Sequence, residues 1–85
     1  MIYSVIFTPA ARRDIGKLSK DVQRRVISKL ADLAKDPRGH GTLKLQGSED
    51  LYRSRVGDFR IVYSIDDDKI IVTVIRVRDR KEVYR

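Results

Sequence analysis

From Ile2 to Phe7 the chain alternates Tyr3, Val5 and Phe7 with Ile2, Ser4 and Ile6. A short β-branched and aromatic run with a period of two predicts a strand. The spacing then becomes helical. Thr8 can cap a helix, and Pro9 suits the first helical position, where its missing N–H is not needed. Ala11, Ile15 and Leu18 fall on one face, with Gly16 weakening the segment. A break at Ser19-Lys20 precedes a longer helix, in which Val22, Val26, Leu30 and Leu33 form a stripe flanked by Ile27, Ala31 and Ala34. Asp36-Pro37 followed by Gly39 ends it. The prediction is an antiparallel helix hairpin whose Arg12, Arg13, Lys17, Arg24 and Arg25 form a solvated polar face.

From Leu43 the period returns to two. Leu51 to Val56, Phe59 to Ile65 and Lys69 to Val77 read as successive strands, joined by Gly57-Asp58 and by the acidic turn Asp66-Asp67-Asp68. The expected architecture is one α+β domain over residues 1–85, in the order β-α-α-β-β-β. The helix hairpin packs on one face of a mainly antiparallel sheet.

A two-residue Gly57-Asp58 turn, with glycine where a type II′ turn requires it, sets the register of the hairpin. Val56 then opposes Phe59, Arg55 opposes Arg60, Ser54 opposes Ile61, Arg53 opposes Val62 and Tyr52 opposes Tyr63. Tyr52, Ser54, Val56, Phe59, Ile61 and Tyr63 share a mostly apolar face that belongs to the core. Arg53, Arg55 and Arg60 share the other with Val62, open to solvent or a ligand. Like charges directly opposite on a sheet destabilise it unless an anion sits between them. The final run, Arg76 to Arg85, adds the guanidinium groups of Arg76, Arg78, Arg80 and Arg85, the ammonium of Lys81 and the ring of Tyr84. Guanidinium forks grip phosphate at two points and a tyrosine ring stacks on an unpaired base, so these residues describe a single-stranded RNA site.

Composition narrows the chemistry. The 85 residues carry a formal net charge of +7, which draws the chain towards polyanions. There is no cysteine and one histidine, so no thiolate nucleophile, cysteine-ligated zinc or histidine-rich metal site can form, and no metal or cofactor is expected. His40, between Gly39 and Gly41, reads as a loop residue rather than a catalyst. The three consecutive aspartates read as a solvated turn rather than a magnesium site, and Tyr52 and Tyr63 as core residues. No apolar run approaches the roughly 20 residues of a membrane helix, and the start lacks a signal-peptide pattern, so a soluble cytoplasmic protein is expected.

Three strings in order, Leu43-Lys44-Leu45-Gln46-Gly47, Leu51 to Tyr63 and Arg80-Lys81-Glu82-Val83-Tyr84, resemble the RelE branch of the RelE/ParE toxin superfamily. The Thr8-Pro9-Ala10 helix start and Asp36-Pro37 agree with the same pattern. The resemblance covers nearly the whole chain. It implies a fold like that of small microbial ribonucleases and a metal-independent endoribonuclease that cleaves messenger RNA in the ribosomal A site, inhibiting translation. It also implies a cognate RelB-like antitoxin that silences the toxin in a hetero-oligomer, with an acidic or amphipathic segment covering the basic face. Carried onto this chain, the catalytic positions are Arg53, Arg55, Arg60, Arg80 and Tyr84, with Arg80 near the leaving 5′-oxygen and Tyr84 positioning the base. Lys44, Arg76, Arg78, Lys81 and Arg85 become RNA contacts. Some members carry lysines on the strand before the hairpin. Here both positions are arginine, a residue type that stays protonated and is a poor general base, so the expected catalysis is electrostatic. The competing readings are a ParE-like inhibitor of DNA gyrase, which needs no such constellation, and an inactive antitoxin-binding module.

Overall fold

The computed structural model describes residues 2–39, 41–45 and 51–79. The elements are β1 (Ser4–Phe7), α1 (Pro9–Gly16), α2 (Lys20–Lys35), β2 (Thr42–Lys44), β3 (Leu51–Val56), β4 (Phe59–Asp66) and β5 (Ile71–Asp79). Thr8 caps α1, its hydroxyl accepting from the Ala11 N–H at 3.1 Å, with Pro9 in the first turn. Ser19 caps α2 in the same way, accepting from Val22 N–H at 3.3 Å, and Asp36 closes it.

The sheet runs in the order β1-β5-β4-β3-β2, with β1 parallel to β5 and every other pair antiparallel. This is one strand more than the hydrophobic pattern predicts. β2 spans three residues, too few to display a period, and exists because its backbone pairs with β3. Both helices cover one face: Ala11, Val26, Leu30 and Leu33 bury against Ile61, Tyr63, Ile65, Val72, Val74 and Val77. Val74 and Val77 both point inwards although they are three apart, because β5 carries a bulge. Tyr63 opposes Val74 while Val62 opposes Arg76, so Ile75 is the extra residue.

Tyr52 and Tyr63 pair as expected, their rings stacked at 6.0 Å. Fully buried Tyr63 donates its hydroxyl to Pro37 O at 2.7 Å, and burial pushes its pKa up to about 12. The Asp66-Asp67-Asp68 turn is more than a solvated connection. Asp67 accepts from both Arg38 Nη atoms, at 3.1 and 2.9 Å, and from the Tyr3 hydroxyl at 2.7 Å. Asp66 instead accepts from the Lys69 N–H, so these two carboxylates are committed to different partners. Arg38 also lies over the Tyr52 ring, 5.4 Å from its centroid. One guanidinium thus ties the end of α2 to β3 and to the β4–β5 turn.

β1 ends at Phe7, leaving the edge of β5 beyond Val74 open. α1 seals it. Thr8 Oγ1 donates to Ile75 O at 2.8 Å, and Asp14 accepts from the Val77 N–H at 3.0 Å and from Arg76 Nε and Nη2 at 2.8 and 3.1 Å. The Asp14 side chain is 11% exposed. Burial pushes its pKa up, but the hydrogen bonds from Arg76 and Val77 outweigh that and hold the carboxyl below the ordinary carboxylate value. Its folded pKa is therefore lower than its unfolded one, so its stabilisation is complete above the unfolded value and disappears as pH falls through the folded one. Asp14→Asn is expected to flatten the acid limb of stability against pH below about pH 4. Asp14→Ala should cost roughly 1.5–2 kcal/mol at pH 7, the low end for charged hydrogen bonds because Arg76 stays partly hydrated. Urea denaturation across pH measures both.

Candidate nucleic-acid interface

Gly57 adopts φ +57°, and Asp58 is not among the positive-φ residues, as a type II′ hairpin requires. The resulting pairs are those that the turn predicts: Val56 with Phe59, Arg55 with Arg60, Ser54 with Ile61, Arg53 with Val62 and Tyr52 with Tyr63. Alternation sends Ser54, Ile61 and Tyr63 under the helices. On the predicted apolar face the buried Ser54 Oγ has no hydrogen-bond partner among the described residues.

The opposite face gathers the arginines. The β4–β5 register sets Arg60 opposite Arg78, so Arg55, Arg60 and Arg78 form one row across three neighbouring strands. Strands roughly 4.8 Å apart give the row a span of about 10 Å, a scale that suits a phosphate group. Two residues along, Arg53, Val62 and Arg76 make the next row. Arg78, marked from sequence only as an RNA contact, therefore stands in line with two of the catalytic candidates. A four-residue turn and a bulge separate its strand from a readable register, which is why pattern alone could not align it.

The structure corrects the expectation that this whole face is open to solvent. Arg55 is exposed and Arg53 and Arg78 half-buried, but Arg60 is 2% exposed. Arg60 sits on β4, the central strand of the sheet. A guanidinium held there is poorly hydrated, and its field on a nearby anion is stronger than it would be in water.

Two other predicted contacts sit elsewhere. Lys44 opposes Tyr52, so the register assigns it to the helix-side face rather than the arginine face. Arg76 reaches around the sheet edge to Asp14, where it anchors α1. Arg80, Lys81, Tyr84 and Arg85 lie outside the described residues, as does His40. Sequence reasoning missed Leu43, which pairs with Arg53 on the arginine face and is 58% exposed. The basic side of α2 is solvated surface as expected: Arg24 and Arg25 are exposed and pair with Asp21, and Arg55 shares with them, Lys29, Asp21 and Asp32 a depression of about 390 Å³.

Residues 5–84 match the family described as the ParE toxin of type II toxin-antitoxin systems, parDE. The chain belongs to that family. Among its relatives in the family, Toxin RelG of Mycobacterium tuberculosis is 34% identical over 100% of this chain and 99% of its own. The mRNA interferase toxin RelE of Escherichia coli K12 is 34% identical over 99% of this chain and 92% of its own. Among solved structures, the intact RelBE toxin-antitoxin complex of E. coli includes a chain that superposes with TM-score 0.81 at 30% identity, covering 91% of this chain and 95% of that one. The family match thus runs over residues 5–84, as the resemblance in the sequence implied.

Because Arg55 is exposed and lies on the row, its effects on folding and on anion binding should separate. Phosphate at constant ionic strength is expected to raise the melting temperature of this toxin-family chain relative to chloride. Arg55→Ala should lose most of that rise while its stability in chloride stays within about 0.5 kcal/mol of the parent. Scanning calorimetry in the two salts reads both.

Proposed function

We propose that this chain is the toxin of a type II toxin-antitoxin pair and acts as a ribosome-dependent endoribonuclease, cleaving messenger RNA in the A site and stopping translation in the cytoplasm. The observation that carries the reading is the row of Arg55, Arg60 and Arg78 across three strands. The names of the relatives, mRNA interferase toxin RelE among them, supply the reaction class.

In this mechanism the row holds the scissile phosphate. When the neighbouring ribose 2′-oxygen attacks phosphorus and the bond to the 5′-oxygen breaks, negative charge builds on the phosphoryl oxygens and then on the leaving oxygen. Guanidinium groups already in place stabilise that charge without having to reorganise. Arg55 and Arg60 bind the phosphate and Arg53 supports them from the adjoining row. The resemblance gives Arg80 the leaving oxygen and Tyr84 the base. A carboxylate-rich or amphipathic RelB-like antitoxin silences the site by covering the basic face. The E. coli RelBE toxin-antitoxin complex, a chain of which aligns with this one, supports a partner of that kind.

Controlled expression followed by mapping of messenger RNA 5′ ends tests this. Translation-dependent breaks within codons are expected soon after induction. Arg55→Ala, Arg60→Ala and Arg80→Ala should each lower the cleavage rate on the order of 10²–10³. Growth arrest with intact messages would point instead to gyrase, the target class of the ParE-like reading. Absence of arrest would leave an antitoxin-binding module.

A further inference from the structure

We infer that the depression between β2 and β3 receives one unpaired RNA base, that of a nucleotide adjoining the phosphate on the arginine row, and so sets base preference. The inference rests on the phosphate reading of that row.

Gly41, Thr42, Leu43, Arg53, Ser54 and Arg55 line a half-enclosed depression of about 320 Å³, near the lower end of the volumes that ligand sites occupy. Arg55 belongs to both places, because it lines the depression and begins the Arg55–Arg60–Arg78 row. The base site therefore joins the phosphate site without a gap. Leu43 stands opposite Arg53 on the same face as the row. At 58% exposure it leaves an apolar side chain in water amid cationic groups. The other large exposed apolar residues of the described chain lie apart from it, Ile27 on α2 and Ile2 and Ile6 at the β1 edge, which is the opposite border of the sheet.

A nucleobase is the ligand whose chemistry uses both features. Its faces are flat and poorly hydrated, suiting contact with Leu43 and with the planar guanidinium of Arg53. Its rim carries carbonyl oxygens and ring nitrogens, which can accept from the guanidinium N–H groups of Arg53 and Arg55 that line the depression. An acidic peptide side chain would satisfy the arginines but leave Leu43 uncovered.

The test is binding of single-stranded RNA pentanucleotides carrying 2′-O-methyl sugars, which prevent cleavage, measured by fluorescence anisotropy at low salt. One probe is intact; in the others an abasic residue is moved through the positions. For the unmodified protein, one abasic position is expected to weaken binding about fivefold, the scale of losing an apolar contact of a few carbon atoms. Leu43→Asn should bind the intact probe about as weakly as the parent binds that abasic probe, and should lose its sensitivity to the position. Leu43→Phe should retain it. Arg55→Ala should weaken every probe, the intact one included. If no abasic position matters more to the parent than to Leu43→Asn, the base site is wrong even though the phosphate row stands. If Arg55→Ala leaves binding of the intact probe unchanged, the phosphate reading fails and the base site with it. An acidic peptide that binds the parent but not Leu43→Asn, with no abasic sensitivity, would assign the depression to a protein partner and overturn the proposal.

Discussion

The left-handed backbone at Gly57, φ +57°, determines which side of the sheet every residue of β3 and β4 faces. Side chains alternate with a period of two, so a slip of one residue would put Arg53, Arg55 and Arg60 under the helices and expose Ile61 and Tyr63. Glycine adopts this conformation without steric cost, which keeps the turn at two residues and the register unique. The core-facing residues of this hairpin and its Arg55–Arg60 pair are consequences of the same turn. Burial of Ile61 and Tyr63 against Val26 and Leu30 stabilises the register, and the register in turn holds like charges together that would otherwise move apart.

Cations are used in two ways in this small domain. Arg38 and Arg76 are structural: each meets a carboxylate through two nitrogens, Asp67 and Asp14 respectively, and each pair joins segments far apart in sequence. Arg38 holds the Asp67 carboxyl below its ordinary pKa, with the Tyr3 hydroxyl adding to the effect. The Arg55–Arg60–Arg78 row is different in kind, because its members are neighbours of one another. Strand pairing forces their proximity, and Arg60 is buried at 2% exposure. Like charges brought this close on one sheet face favour an anion between them.

The outer sheet face is graded along its strands. The Arg55 row lies at the hairpin end, the mixed row of Arg53 and Val62 follows, and Thr73 paired with Ser64 lies beyond. Leu43 extends the mixed row onto the edge strand. Charge and apolar surface therefore meet within a few ångströms, which matches the alternation of phosphate and base along a single RNA strand.

Much of this was legible in the residues. Thr8 as a cap, the break at Ser19, the stripe through Val26 and Leu30, the Gly57 turn and the β3–β4 pairs follow from local stereochemistry and periodicity, because each depends on neighbours within a few positions, while the family followed from the resemblance of ordered motifs along nearly the whole chain. The sequence alone thus determined the α+β class, the two faces of the hairpin and the identity of the clustered arginines. Tertiary structure decided what depends on distant pairing. It formed β2 from a segment too short to signal itself and moved Lys44 to the helix side. It diverted Arg76 to Asp14, aligned Arg78 with Arg60 across a bulge, and buried Arg60 in the central strand. Those outcomes turn on the register between segments joined by long connections and on which strand lies in the middle, and neither is encoded in a local pattern of residues.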